Sequence, residues 1–462
     1  MLLLRIEDQH AAHPSLPSLI AFSGAQTSRF YAAIIRYLKI LDVRRHQGER
    51  SIMRPSAAYV AIMAILVSAK SIAAPTLVVA QGISGDVIKI GVMNDQSGPY
   101  SDNCGLGSVI AARLAISDFG RAINGKNIEL IVADDQNKPD IGVAIALRWL
   151  DNEGVDAIVG CSASSVALGV QDVMRSRKKP YLLAGTAAAF FTNERCSPLT
   201  TQWAMDTYAL AKATVKSLLA RRLDTWFFVT VDYSFGKVWQ ADATNFIKSA
   251  GGKVVGSVLH PLNSSDFASV LVTAQSSGAK VVALANSGAD FANALKQAEE
   301  FGLTQKQQLA PLGLMINQTH SIGLKPLQNV GLTTTFYWDR TDETRAFAKR
   351  YEAAFDGRIP NEAQASTYSA VMHYLKAIAA AQTDEGEAVV RQMKNTPVND
   401  FEMKNVSIRA DGQVMRPLYA ARIKASIESK YPYDYYEITG TIPAEDAWRP
   451  AAESTCNLLK TQ

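Results

Sequence analysis

Residues 88–120 read IKIGVMNDQSGPYSDNCGLGSVIAARLAISDFG, and their order decides the fold. The run 87–93 is apolar save for Lys89, the pattern of a strand buried on both faces. A loop rich in Asn, Asp, Gly and Pro follows. Residues 109–119 then carry a helical pattern that stops at Gly120. Outward from this unit the alternation repeats. Strands are predicted at 128–133, 157–160 and 180–184, with helices at 141–150 and 164–177. After Asp206 a second series begins with a helix at 208–220. Strands at 226–231, 253–259 and 281–285 alternate with helices at 237–249, 267–275 and 291–301, and strands follow near 308–311 and 332–337. Strand–helix alternation means parallel sheets covered on both faces. The expected fold class is therefore α/β, with two doubly wound Rossmann-like lobes.

The last third differs. Helices are predicted at 343–355, 362–381 and 387–394. Segments 406–408 and 415–423, around the turn Asp411-Gly412, read as a hairpin. Residues 429–462 are Tyr- and Pro-rich with little periodicity and read as a docked tail.

The chain has 462 residues, 48% of them hydrophobic and 19% charged, enough for two ordinary domains with cores of their own. Its formal net charge is +4, but the first 80 residues hold nine Lys/Arg against four Asp/Glu. The remainder is close to neutral, so no basic surface for nucleic acid is expected. Met53-Arg54 precedes an apolar run over 57–69, and Val78-Val79-Ala80 supplies small residues before Gln81. This is the layout of an export signal over 53–80, and the run is short for a bilayer span. Residues 1–52 read as an upstream extension outside the mature protein, or as a segment whose residues 30–41 form an amphipathic helix.

Cys104, Cys161, Cys196 and Cys456 all fall after that signal. In an oxidising compartment they permit two disulfides, and spacing alone leaves all three pairings open. Cys196 with Cys456, tying down the tail, is the pairing we expect; Cys104 and Cys161 are expected near a cleft.

Catalytic patterns are missing. There is no GxxxxGK[ST] and no HExxH, and Gly160-Cys161-Ser162-Ala163-Ser164 lacks the second glycine of a nucleophile elbow. Gly105-Leu106-Gly107 invites a dinucleotide-binding reading, but those glycines belong immediately after the first strand, and here a long loop intervenes. No enzyme activity, cofactor or metal is expected.

Segment 88–120 resembles the first strand, ligand loop and first helix of the leucine/isoleucine/valine-binding family, type I periplasmic proteins that feed ABC importers. The resemblance continues through IELIVADDQNKPDIGVAIALRWLDNEGVDAIVG (128–160), SSVALGVQDV (164–173) and VTVDYSFGKVW (229–239), and more loosely to about residue 423. The closing YPYDYYEITGTIPAEDAWRP is similar to tails in a branch associated with aromatic and other carboxylic acids.

The resemblance implies two lobes joined by a three-strand hinge and closing on one small molecule. The first lobe would be 86–206 plus about 336–405, the second 207–335 plus about 406–440, and 441–462 the tail. It implies a monomeric periplasmic protein that hands a small carboxylate, or a branched-chain amino acid-like ligand, to a permease and ATPase on separate chains. A sensor for a membrane receptor is the alternative, and a nicotinamide-dependent oxidoreductase a more distant one.

The resemblance and the strand ends nominate the ligand residues. Ser164 and Ser165 open a helix whose N–H groups suit a carboxylate, although one serine suffices for plain capping. Gly185 and Ala187 match the loop whose backbone meets the ligand; Tyr100 and Asn103 stand over the cleft mouth or form an ordinary loop. Phe235 is an aromatic wall or core packing, and Asp206 a ligand acceptor or a helix cap. Amino-acid-binding members carry Glu at the position aligned with Leu312, and often Tyr at Ser287. Without that acid a buried ammonium lacks a partner, so the expectation shifts toward aromatic or aliphatic acids.

Overall fold

The computed structural model describes residues 82–460 except Asn329. The expected extension and export signal lie outside the described residues. The first sheet contains β1 (Val87–Asn94), β2 (Ala122–Ile123), β3 (Lys126–Asp134), β4 (Ala157–Cys161), β5 (Tyr181–Leu183) and β6 (Thr200–Gln202). Their order is β2-β3-β1-β4-β5-β6, and every pair is parallel except the short β2–β3 flank. Val92 lies opposite Val132 and Val159. Ile88, Ile90 and Val92 bury one face of β1 against the helices Gly105–Phe119 and Glu362–Ala381, while Met93 packs on the other face with Trp149 and Ile158.

The second sheet contains β7 (Thr225–Val231), β8 (Lys253–His260), β9 (Val281–Ala285) and β10 (Gln308–Pro311), all parallel, in the order β10-β9-β7-β8. A small antiparallel sheet of β11 (Gly331–Thr334), β12 (Leu418–Ile423) and β13 (Tyr436–Ile442) completes this lobe.

Gly107 shows what the glycine pair at the start of the first helix does. A Cβ there would lie 2.3 Å from the Gln364 side-chain nitrogen and 2.5 Å from the Tyr351 hydroxyl. The glycine admits the C-terminal helices to the first lobe instead of a pyrophosphate.

The chain crosses between lobes after β6, after β11 and before β12. Arg416, buried at the third crossing, donates from Nη2 to the Thr335 carbonyl of the second crossing (2.8 Å) and to Glu402 Oε2 (2.7 Å). The return to the second lobe comes later than 406. Val406, Ile408 and Val414 sit in the first lobe's core, and Gln413 bridges Gln202 of β6. The expected hairpin shrinks to one bridge, Ile408 to Val414, because those side chains find their apolar partners on the first lobe. Residues 436–442, read as part of an irregular tail, form β13. Beyond β13, Trp448 is buried and donates to the Arg416 carbonyl (2.8 Å). Cys196 is bonded to Cys456 and Cys104 to Cys161.

Candidate ligand-binding cleft

In an open parallel sheet, ligands sit beyond the carboxyl ends of the strands where the strand order reverses. The first sheet reverses between β1 and β4, the second between β7 and β9. The segments beyond these ends meet. Tyr100 and Tyr233 share a hydroxyl–hydroxyl hydrogen bond of 2.7 Å. Asn317 Nδ2 donates to Asp102 Oδ2 and Asn103 Oδ1 (each 2.8 Å), and Asn103 Nδ2 lies 3.5 Å from Ser287 Oγ. The first loop is held in shape by Asp95, whose carboxylate accepts from the N–H groups of Gly98 (2.6 Å) and Tyr100 (2.9 Å).

Between the lobes lies a cavity of about 70 Å³. Tyr100, Asn103 and the disulfide Cys104–Cys161 wall it on one side, with Ser164, Gly185 and Ala187 beside them. Tyr233, Phe235, Trp239 and Ser287 close it from the second lobe. Three of those side chains form an aromatic row, Tyr233 stacking on Phe235 (5.8 Å between ring centres) and Phe235 tilting against Trp239 (4.9 Å).

The helix Ser164–Ser176 opens at this cavity with Ala163 at its cap position and no side chain capping it. Ser164 is buried. The first N–H groups of a helix have no intrahelical acceptor, and a buried end without a cap calls for another partner. Together with the helix dipole they suit an anion. Neither serine serves as the cap here.

The cavity thus brings together Tyr100, Asn103, Ser164, Gly185, Ala187, Phe235 and Ser287. Three nominated residues stand apart from it. Ser165 follows Ser164 on the helix but is not in the wall. Asp206 caps the helix Thr207–Ala220, accepting from the Ala209 N–H at 2.8 Å. Leu312 packs in the second lobe's core with Trp226, Phe228 and Ala310, while Gly313, Leu314 and Met315 reach the wall.

Glu362 lines the cavity and was not anticipated. It opens a helix nearly 200 residues beyond Ser164, and the tertiary fold alone delivers it there. Its Oε1 accepts from Thr334 Oγ1 (2.7 Å), and burial pushes its pKa up to about 7. The argument that the pocket holds no acid, which rested on Leu312, is therefore corrected. Tyr233 and Trp239 were also missed, although both flank Phe235, Trp239 one helical turn on.

Among the described residues no helix is long and apolar enough to cross a membrane, and no group of His, Cys, Asp or Glu is placed to hold a metal. Two α/β lobes, three crossings and a cavity at facing switch points define a type I solute-binding architecture. The chain belongs to the periplasmic binding protein family, which matches residues 87–429. A periplasmic binding protein from Burkholderia mallei is 43% identical, with a TM-score of 0.79 over 81% of this chain and 99% of that one. A branched-chain amino acid ABC transporter periplasmic ligand-binding protein from Burkholderia xenovorans is 34% identical, with a TM-score of 0.72 over 80% of this chain and 100% of that one. A Leu/Ile/Val-binding protein homolog from Brucella melitensis is 25% identical over 55% of this chain, and the match spans 65% of that relative's length.

Proposed function

We propose that this chain captures a small carboxylate between its lobes in the periplasm and presents it to the permease of an ABC importer. The observation that carries the reading is the uncapped, buried amino end of the helix Ser164–Ser176 in the cavity wall. It supplies N–H donors and a positive dipole end for a carboxylate, and the aromatic row opposite supplies a face for an apolar body. Aromatic acids, aliphatic acids and branched-chain amino acids all fit that description. The Tyr100–Tyr233 contact suits a closed state favoured by a ligand that touches both lobes.

The test is calorimetric and thermal-shift titration of the purified protein with leucine, isoleucine, valine, benzoate, cinnamate and short-chain acids. A micromolar ligand at millimolar concentration adds about 4 kcal/mol of stability. Ser164→Pro removes one N–H at the first helical position, which tolerates proline. It should weaken binding about ten-fold or more while the circular dichroism spectrum holds. Unchanged affinity in that variant would remove the helix end from the site.

A further inference from the structure

Glu362 has a feature that capture of a plain acid does not use. Its side chain is 1% exposed and lines the cavity, and its Oε2 has no hydrogen-bond partner within the protein. The other oxygen is engaged by Thr334. The nearby cation, Arg416, directs its Nη1 and Nη2 to Glu402, Ser366 and the Thr335 carbonyl and makes no hydrogen bond to Glu362. A buried carboxyl oxygen left without a partner is costly, and this one belongs to a residue of the cavity wall.

We propose that Glu362 is a specificity-determining residue whose Oε2 receives a hydrogen-bond donor carried by the ligand in addition to its carboxylate. The inference rests on the acid-capture reading above and narrows its substrate class. The preferred ligand is a small apolar acid bearing a second polar group, a hydroxyl or an ammonium, and an acid with an unbroken hydrocarbon body is discriminated against. A neutral Glu362 meets a hydroxyl, and an ionised one meets an ammonium.

Isothermal titration of matched triads tests this. One triad is 4-methylpentanoate, 2-hydroxy-4-methylpentanoate and leucine; the other is 3-phenylpropanoate, 3-phenyllactate and phenylalanine. In the unmodified protein the hydroxy or amino member of at least one triad should bind about ten-fold or more tighter than its plain acid. Glu362→Gln keeps the size and one oxygen. It should retain affinity for a hydroxy acid and lose it for an amino acid, which separates the two donors. Glu362→Met should remove the preference, so that the plain acid and its substituted partners bind equally, a ratio that loss of folding cannot imitate. If the plain acids bind as tightly as their substituted partners, or if the preference survives in Glu362→Met, this inference falls and acid capture stands. If neither triad binds while benzoate or cinnamate does, this inference also falls alone; if valine binds, 3-methylbutanoate, 2-hydroxy-3-methylbutanoate and valine form a third triad read by the same two outcomes. If no acid of any kind binds, the acid-capture reading falls and takes this inference with it.

Discussion

Asp206 shows how one carboxylate can cap a helix and bear a cost for it. Burial, opposed by the hydrogen bond from Ala209 and reinforced by Asp242, pushes its pKa up to about 7. An unfolded aspartate titrates near 4, so between about pH 4 and 7 the native state binds the extra proton. Stability contributed by this group is therefore lost as pH rises through that window. Asparagine caps as well as aspartate and does not titrate. Asp206→Asn should be more stable than the parent above pH 7 in urea denaturation, with a flatter profile from pH 4 to 7. Identical profiles would show that Asp206 does not titrate in this way. The sequence left cap and ligand acceptor both open at Asp206, because each role wants a short acid at the start of a helix. Ser164 was legible because a strand end, a small-residue turn and a helix start fall within a few residues. Glu362 was not, because nothing local marks a helix-opening glutamate as a cavity residue.

At the scale of elements, the crossings depend on Arg416. Its guanidinium joins two of them through Thr335 and satisfies Glu402, itself buried. Removing one member of such a buried pair typically costs about 3–5 kcal/mol, because the other charge is stranded. Arg416→Leu should lower stability by that amount in urea denaturation, and adding Glu402→Leu should recover part of it. A single variant as stable as the parent would contradict the role given to this pair. The long apolar strands β1, β4, β7 and β9 were visible as runs because both of their faces are covered. Strand β6 is only three residues long, and β13 exposes most of its length, so neither leaves a periodic trace. Residues 406–414 alternated correctly for a strand, yet the choice of lobe was set by which core had room for Val406 and Ile408.

In the whole molecule the lobes touch, and one position limits how close they come. Gly288 opens a second-lobe helix with φ +63°, and a Cβ there would lie 2.4 Å from the Pro99 carbonyl oxygen and 3.0 Å from the Tyr100 ring. Gly288→Ala should hold the lobes apart, lowering ligand affinity about ten-fold or more, beyond the roughly 1–2 kcal/mol that a left-handed alanine costs the fold. Small-angle scattering should show ligand-induced compaction in the parent and none in the variant. Equal compaction would mean that the two surfaces do not meet in solution. The crossings carry a different consequence, for biogenesis. One of the two helices that cover Ile88, Ile90 and Val92 lies beyond residue 361, after the body of the second lobe. A chain emerging amino end first has its opening sheet covered on that side by the helix Gly105–Phe119 alone until residues 362–381 follow. The amino-terminal half therefore completes its core late, and the uncovered part of its sheet stays open to association with other chains until then.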